Sequence, residues 1–355
     1  MKASIVLATT VCLIGLAAEI HSATGGDRPA PVATLTTGTP PARMNHMFTG
    51  NGAAGASANR LYLYGGGNGS TVFNDLWYYQ TDSNAWILVT PVGKSRPGPR
   101  QTAGWSCGGG TCVLEDGNKG CCMIDETWMY VEATKAWSKI SCTASTPCPS
   151  GRKAPAMAFD PDSQQHLLFG GSSLGYRVRP SDIFNDTYTF DPSTRRWTKL
   201  SPTNKPSPRE GAAAAFVPDV GIVLFGGMDQ LNKLQCDMFV WTGGDWVAVT
   251  AGSNSPCLYA HSMVWTGTDL VVGGGYTVEG LANSTTYRFQ FNADKRSGTW
   301  ATSSPGTCQN PTGGTDYVIH SRATMAADDT LPATRVYFGG SQSGTYYNNT
   351  VECTD

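Results

Sequence analysis

Short apolar strands that end in paired glycines recur along the chain at intervals of roughly 50 residues. They read LYLYGG at residues 61–66, LLFGG at 167–171, VLFGG at 223–227, LVVGG at 270–274 and VYFGG at 336–340, with a degraded sixth copy, CVLEDG, at 112–117. A variable loop and then a strand of alternating aromatic residues follow each copy. Alternation with a period of two indicates β-strands. The pattern predicts an all-β chain made of repeated antiparallel sheets.

A tryptophan follows the aromatic strand in five of the copies: Trp86, Trp137, Trp197, Trp246 and Trp300. A sheet with two apolar faces cannot bury both by itself, so we expect neighbouring sheets to stack with these indoles between them. The order of apolar strand, glycine pair, aromatic strand and tryptophan resembles the kelch repeat, over residues 28–355. This resemblance implies a β-propeller, in which each copy is one blade.

The two ends of the chain set the number of blades. The last copy stops at residues 349–353, its third strand, with no tryptophan after it. Residues 31–35 match the fourth strand around Trp197, with Val32 in the place of the tryptophan. We therefore predict a six-bladed kelch-type β-propeller whose last blade is closed by the N-terminal strand, which would remove an open sheet edge.

The first 23 residues have the pattern of a secretory signal peptide, with Lys2, an apolar run over residues 5–18 and small residues at 22–23. We expect a signal peptide at 1–23 and a single propeller domain at 24–355. The run is too short to span a membrane, and no later stretch reaches the length required. With 25 basic and 27 acidic residues, the chain has no global field to attract nucleic acid. These features predict a secreted, extracellular or cell-surface protein with no membrane span.

Cleavage would remove Cys12 and leave an even number of cysteines, which after an export signal indicates disulfides. The candidates are Cys107, Cys112, Cys121, Cys122, Cys142, Cys148, Cys236, Cys257, Cys308 and Cys353. Their spacing matches no zinc motif, and their pairing stays open. Four Asn-x-Ser/Thr sequons indicate N-glycosylation. They are Asn68, Asn185, Asn283 and Asn348.

An arginine recurs at the head of the first strand in four copies, and Leu258 and Tyr317 stand there in the other two. The four are Arg43, Arg100, Arg152 and Arg209. In kelch-like propellers, the loops at these blade junctions line one mouth of the central channel, where guanidinium groups would suit a carboxylate or phosphate ligand. Tyr176, Arg177 and Arg179, on the loop at 172–185, extend the predicted patch.

Two alternatives apply to this patch. The repeated arginines would have a purely structural role if each paired with an acidic neighbour at the blade junction. If they bind an acidic ligand or partner, Arg177→Ala or Arg209→Ala should weaken that binding while leaving the fold intact.

Histidines follow three positions after these strand heads, at His46, His261 and His320. Successive blades need not bring them within reach of one ion, so we expect no metal site and no other cofactor. Copper-radical oxidases that resemble galactose oxidase share the propeller and use tyrosine and histidine ligands. The pairs Tyr259 with His261 and Tyr317 with His320 have superficially similar spacing, but neither is adjacent and no suitable cysteine partner is evident.

The strong signals concern architecture, so we expect a non-enzymatic extracellular module that presents channel-mouth loops to a protein or glycan partner. The alternative is a carbohydrate-acting enzyme of the sialic-acid mutarotase type, which the chain resembles in size, export signal and blade number. Such an enzyme needs an acid/base carboxylate, for which Glu210 and Glu279 are candidates. The identity of the partner and the oligomeric state stay open.

Overall fold

The computed structural model describes residues 33–50, 59–115, 117–119, 122–123, 125–173, 182–277, 285–303, 307–309, 311, 324–327, 334–342 and 345–354. The elements assigned within these residues are β-strands. Most of them belong to six antiparallel sheets, which are the six predicted blades.

The first two blades precede residue 140. The first contains β1 (Thr34–Gly38), β2 (Met47–Gly50), β3 (Arg60–Tyr64), β4 (Leu76–Gln80) and β5 (Ala85–Thr90). The second contains β6 (Gly104–Gly108), β7 (Thr111–Glu115), a short hairpin of β8 (Asn118–Lys119) and β9 (Cys122–Met123), then β10 (Thr127–Val131) and β11 (Ala136–Lys139).

The next three blades each have four strands in sequence order. The third contains β12 (Ala156–Asp160), β13 (Gln165–Phe169), β14 (Thr187–Asp191) and β15 (Arg196–Leu200). The fourth contains β16 (Ala213–Val217), β17 (Gly221–Phe225), β18 (Met238–Trp241) and β19 (Trp246–Val249). The fifth contains β20 (Ser262–Trp265), β21 (Leu270–Gly273), β22 (Thr286–Phe291) and β23 (Gly298–Ser303).

The sixth blade departs from sequence order. Its strands are β24 (Thr307–Gln309), β25 (Thr324–Ala327), β26 (Thr334–Phe338) and β29 (Thr350–Thr354), with the short hairpin β27 (Ser341–Gln342) and β28 (Thr345–Tyr346) between the last two. Across the sheet they lie in the order β24, β29, β26 and β25. The outermost strand of this blade is therefore supplied by chain that precedes the other three.

The blades form a closed ring. Their innermost strands contact one another in the cyclic order β2, β6, β12, β16, β20, β25 and back to β2. In the described part of the chain, the buried apolar side chains divide into six clusters, one at each junction between neighbouring blades. The hydrophobic core is thus six layers between sheets, as expected for copies that bury their faces on one another.

The five predicted tryptophans lie in these layers, and each is at most 9% exposed. Three of them donate an indole N–H to a threonine at the start of the third strand of the preceding blade. Trp197 bonds Thr127 and Trp246 bonds Thr187, each at 3.0 Å. Trp86 of the first blade bonds Thr350 of the sixth at 2.8 Å, across 264 positions of sequence. The structural role predicted for the indoles is confirmed, and one of them ties the ends of the ring together.

The glycine pairs also link blades. Gly66 has φ of +89° and donates its backbone N–H to the Arg100 carbonyl of the next blade at 3.0 Å. A Cβ at this position would lie 2.7 Å from the Cβ of His46, so a side chain has neither the space nor a favourable φ. The equivalent bond from Gly340 to the Arg43 carbonyl, at 2.9 Å, joins the last blade to the first.

The predicted closure of the last blade is wrong. The N-terminal strand β1 pairs with β5, on the outer edge of the first blade, and makes that sheet five-stranded. The outer position of the sixth blade is taken by β24, which pairs with β29 and is tied to it by the Cys308–Cys353 disulfide. Because this edge is already covered by a crosslinked strand, it cannot accept the N-terminal segment. Val32 itself lies outside the described residues.

Candidate functional site

Each of the four repeated arginines forms an ion pair inside its own blade. Arg152 donates two hydrogen bonds to Asp186, at 2.7 and 3.1 Å, and a third to the Gly170 carbonyl at 2.8 Å. Its guanidinium also lies 4.4 Å from the centre of the Phe184 ring. The corresponding pairs are Arg43 with Asp75, Arg100 with Glu126 and Arg209 with Asp237.

These arginines are at most 1% exposed. A guanidinium that is buried and bonded to a carboxylate is not available to an external ligand in this arrangement. The geometry therefore favours the structural alternative, in which the pair holds the head of the first strand against the start of the third strand. Tyr176, Arg177 and Arg179 lie outside the described residues, so binding at their loop stays a prediction.

A signal for these pairs was present in the sequence but was missed. The residue before the third strand is acidic in the same four copies that have the arginine. In the fifth copy both partners are absent together, with Leu258 and Thr285 in their places. The joint presence and loss of opposite charges indicates an ion pair between them.

In the five blades whose strand heads are described, the residue two positions after the head has left-handed backbone geometry. In five blades these residues have φ between 48° and 65°; they are Asn45, Thr102, Ala154, Gly211 and Ala260. Four of them donate their N–H to the carbonyl of the one in the preceding blade: Thr102 to Asn45, Ala154 to Thr102, Gly211 to Ala154 and Ala260 to Gly211, at 2.7–3.1 Å. We call these five residues the rim. They form a chain of backbone hydrogen bonds around one mouth of the channel.

The residues just before the rim positions carry the polar chemistry of this mouth. Glu210 accepts a hydrogen bond from the Ser172 hydroxyl, and the Lys153 ammonium lies 3.1 Å from its carboxylate. The side chains of Lys153 and Glu210 are 27% and 13% exposed. Because the two charges offset each other, the Lys153–Glu210 pair carries no net charge.

Two tyrosines continue the mouth into the fifth blade. Tyr259 and Tyr276 form a backbone bridge, and their ring centroids are 5.3 Å apart. A Cβ at Gly211 would lie 3.6 Å from the Tyr259 ring, so the ring lies against the rim. We call Lys153, Ser172, Glu210, Tyr259 and Tyr276 the mouth sector. It presents a paired carboxylate and ammonium and two partly exposed aromatic rings across three adjacent blades, while the buried Ser172 hydroxyl bonds the Glu210 carboxylate.

The residues that line the channel below the rim are mostly apolar, although the surface they expose to the channel is more polar than apolar. The channel contains a cavity of about 200 Å³, smaller than the roughly 300–1,000 Å³ of typical small-molecule sites. Four methionines contribute to its wall: Met47, Met157, Met263 and Met325. The described residues that line it include no Arg, Lys, Asp or Glu, so no arginine–carboxylate pair faces this cavity. Glu279, the other candidate carboxylate, lies outside the described residues.

The histidines are part of the core. His46 packs edge-on against Phe338, and His261 against Phe225, each with ring centroids 5.4 Å apart. Burial lowers the pKa of His46 to about 3, helped by the nearby Arg43 charge, and that of His261 to about 4. Within the described residues there is no group of three or more side chains suited to hold a metal ion. Tyr317 and His320 lie outside them.

Acidification should lower the free energy of unfolding at pH values well above those at which carboxylates titrate. His46, His166 and His261 stay neutral in the folded state because burial lowers each pKa to about 3 or 4. The unfolded chain binds protons below its ordinary histidine pKa, about 6.5. Stability is therefore full above that pH and falls as pH drops towards 4, by at most about 1.4 kcal/mol per pH unit for each histidine.

Urea unfolding at pH 7.5, 6.5, 5.5 and 4.5 measures this loss, and His166→Gln should make the pH dependence less steep. An unfolding free energy that is constant between pH 7 and 5 would contradict the assignment of neutral, buried histidines.

Four disulfides link cysteines in the described residues. They are Cys107–Cys112, Cys142–Cys148, Cys236–Cys257 and Cys308–Cys353. Cys121 is outside the described part of the chain, and the side chain of Cys122 is not described. Of the four sequons, Asn348 is exposed, Asn68 and Asn185 are half-buried, and Asn283 is not described. The disulfide prediction is confirmed for eight cysteines, whereas glycosylation stays a prediction.

Six antiparallel blades in a closed ring, with glycine pairs and interblade tryptophans, define a kelch-type β-propeller, a fold used for protein interactions. The chain belongs to the Attractin/LZTR1 beta-propeller family, whose sequence profile matches residues 32–238. Among the residues described, no helix is both long and apolar enough to cross a membrane.

Two much longer proteins share part of this sequence. The dynein alpha chain of the flagellar outer arm of Chlamydomonas reinhardtii is 27% identical over 165 residues, which is 44% of this chain and 4% of the dynein chain. Tip elongation aberrant protein 1 of Schizosaccharomyces pombe is 26% identical over 198 residues, or 53% of this chain and 16% of that protein. The similarity thus covers only a small part of each relative.

Proposed function

We propose that this protein is a secreted, extracellular interaction module that binds its partner at the mouth of the propeller, through the mouth sector. The family and fold support an interaction role. The four disulfides and the predicted signal peptide support an oxidising, extracellular location. The position of the mouth sector, on loops held by a rigid ring of blades, is typical of binding sites.

The observation that carries the proposal is the chemistry left at the mouth once the arginines are assigned to the core. The repeated guanidinium groups are used inside the blades, and the Lys153–Glu210 pair has no net charge. Among the described residues of the mouth, what remains is aromatic surface on Tyr259 and Tyr276 beside hydrogen-bonding groups. Tyrosine combined with nearby polar groups is typical of protein contact surfaces. We therefore infer a protein partner with a mixed apolar and polar surface, in place of the acidic ligand expected from the arginine repeat.

Two mouth variants test this proposal. A pull-down from the native extracellular fraction identifies the partner, and titration calorimetry then compares wild type with Glu210→Gln and Tyr259→Ala. Each change should weaken binding by about tenfold, equivalent to about 1.4 kcal/mol. Glu210→Gln keeps the shape of the side chain but removes its charge from Lys153.

Asp162→Asn is the matched control because it removes an exposed carboxylate from the β12–β13 turn, at the opposite end of the blade from the rim. Its affinity should equal that of wild type. Unchanged affinity in both folded mouth variants, or an equal loss in the control, would overturn the mouth sector as the binding site. Capture of a glycan without protein would overturn the choice of partner class.

A further inference from the structure

The N-terminal strand β1 forms an open sheet edge on the outside of the first blade. It pairs with β5 over all five of its residues, from Thr34 opposite Thr90 to Gly38 opposite Trp86. In the described part of the chain, no strand pairs with its other side. All five residues are exposed, and Leu35 is 49% exposed. A row of backbone N–H and C=O groups on this side is therefore available to another strand.

This edge lacks the features that normally block strand addition. Protected edges carry charged residues, proline or a bulge, or are very short. Three outer strands of other blades follow this rule: β11 contains Lys139, β15 contains Arg196 and Lys199, and β24 has only three residues. The other two, β19 and β23, also lack charge and proline, but the first N–H of each is bonded to a carbonyl outside its blade, Trp246 to Asn204 and Gly298 to Thr250. β1 reads TLTTG, with no charge and no proline, and its pairing with β5 is continuous.

We propose that a second copy of this chain pairs with β1, antiparallel and about a twofold axis at Thr36, so that two first blades join into one ten-stranded sheet. This pairing places Thr36 opposite its own copy, Leu35 opposite Thr37 and Thr34 opposite Gly38. No charged residue meets another, and Leu35 is partly covered. A five-residue pairing is a small interface, so the dimer is weak, with a dissociation constant between about 1 µM and 1 mM.

Sedimentation equilibrium of the purified protein over a range of concentrations tests this dimer, with a pair of charge variants. Thr36→Lys places two like charges opposite each other at the centre of the interface, and Thr36→Glu does the same with the opposite sign. Each variant should remain monomeric, with its dissociation constant raised tenfold or more. An equimolar mixture of the two should dimerise again, because the charges across the axis then attract.

Thr198→Lys on β15 is the matched control, since it makes the same change at an exposed position on an outer strand of another blade. It should dimerise like wild type, and all variants should keep the wild-type melting temperature within a few degrees. A wild type that stays monomeric up to millimolar concentration would overturn the proposal, and so would a dimer that survives in both charge variants. This result is independent of the mouth sector, because β1 is not part of it.

Discussion

Replacing Arg152 by alanine should lower the free energy of unfolding by about 3 kcal/mol, without a specific effect on ligand binding. The guanidinium is buried and bonded to Asp186 and to the Gly170 carbonyl. Removing one member of a buried ion pair costs about 3–5 kcal/mol, because the other charge is left unpaired. Because 17% of the Asp186 side chain remains in contact with solvent, which partly stabilises its charge, we expect a loss at the lower end of this range of about 3–5 kcal/mol. Chemical denaturation of the purified variant measures it.

The fifth blade supplies a natural control for this change. There the pair is replaced by Leu258 and Thr285, and Leu258 is buried. The double variant Arg152→Leu with Asp186→Thr copies that replacement into the third blade. It should be more stable than Arg152→Ala because no unpaired charge remains. Near-wild-type stability in Arg152→Ala, together with weaker binding of an acidic ligand, would instead support the ligand-binding role first expected for this arginine.

Removing the Cys308–Cys353 disulfide should lower the free energy of unfolding by about 4 kcal/mol. The bond closes a segment with a sequence separation of 45, and chain-entropy estimates for that length give about this value. It also holds β24 against β29, so its loss should free the outer edge of the last blade. The double variant Cys308→Ala with Cys353→Ala should therefore show faster amide hydrogen exchange in β29 as well as reduced stability.

The Cys142–Cys148 disulfide is the control for chain length, because it spans a sequence separation of only 6. The same entropy estimate gives about 2 kcal/mol for its removal, and exchange in β29 should not change. The matching double variant is Cys142→Ala with Cys148→Ala. If both double variants had equal effects, or if exchange in β29 did not change when Cys308–Cys353 is removed, the Cys308–Cys353 bond would have no specific role in holding the last blade together.

Repeated local chemistry made the fold predictable. A glycine pair follows the apolar strand, as at residues 65–66. Glycine is needed there because the turn has positive φ and because the backbone of the next blade leaves no space for a side chain. The indole of Trp197 must be buried, and a stack of sheets gives it the space. Such constraints act within one blade or between neighbouring blades, so the same residues recur in each copy of the repeat and can be recognised in the sequence.

The role of the arginines was harder to read, since the same guanidinium suits a buried carboxylate and an acidic ligand. Burial separates these alternatives, and burial depends on how the first strand packs against the start of the third. The acidic residue that pairs with Arg209 lies 28 positions away. Neither partner lies in the other's local motif, so the sequence pattern did not show that these arginines are buried. The polar and aromatic groups at the mouth are instead Lys153, Glu210 and the two tyrosines beside them.

From the repeated pattern alone, the blade number, the all-β class and the burial of the indoles follow, because each depends on residues that recur with the period of one blade. The presence of disulfides follows from a different feature, the even number of cysteines after the predicted signal peptide. The pairing of the chain ends does not follow. β1 and β24 are both short outer strands without a tryptophan, and each could in principle complete the same sheet. Their places were decided by a crosslink between Cys308 and Cys353, a contact between distant residues that occurs once in the ring and therefore leaves no trace in the repeat.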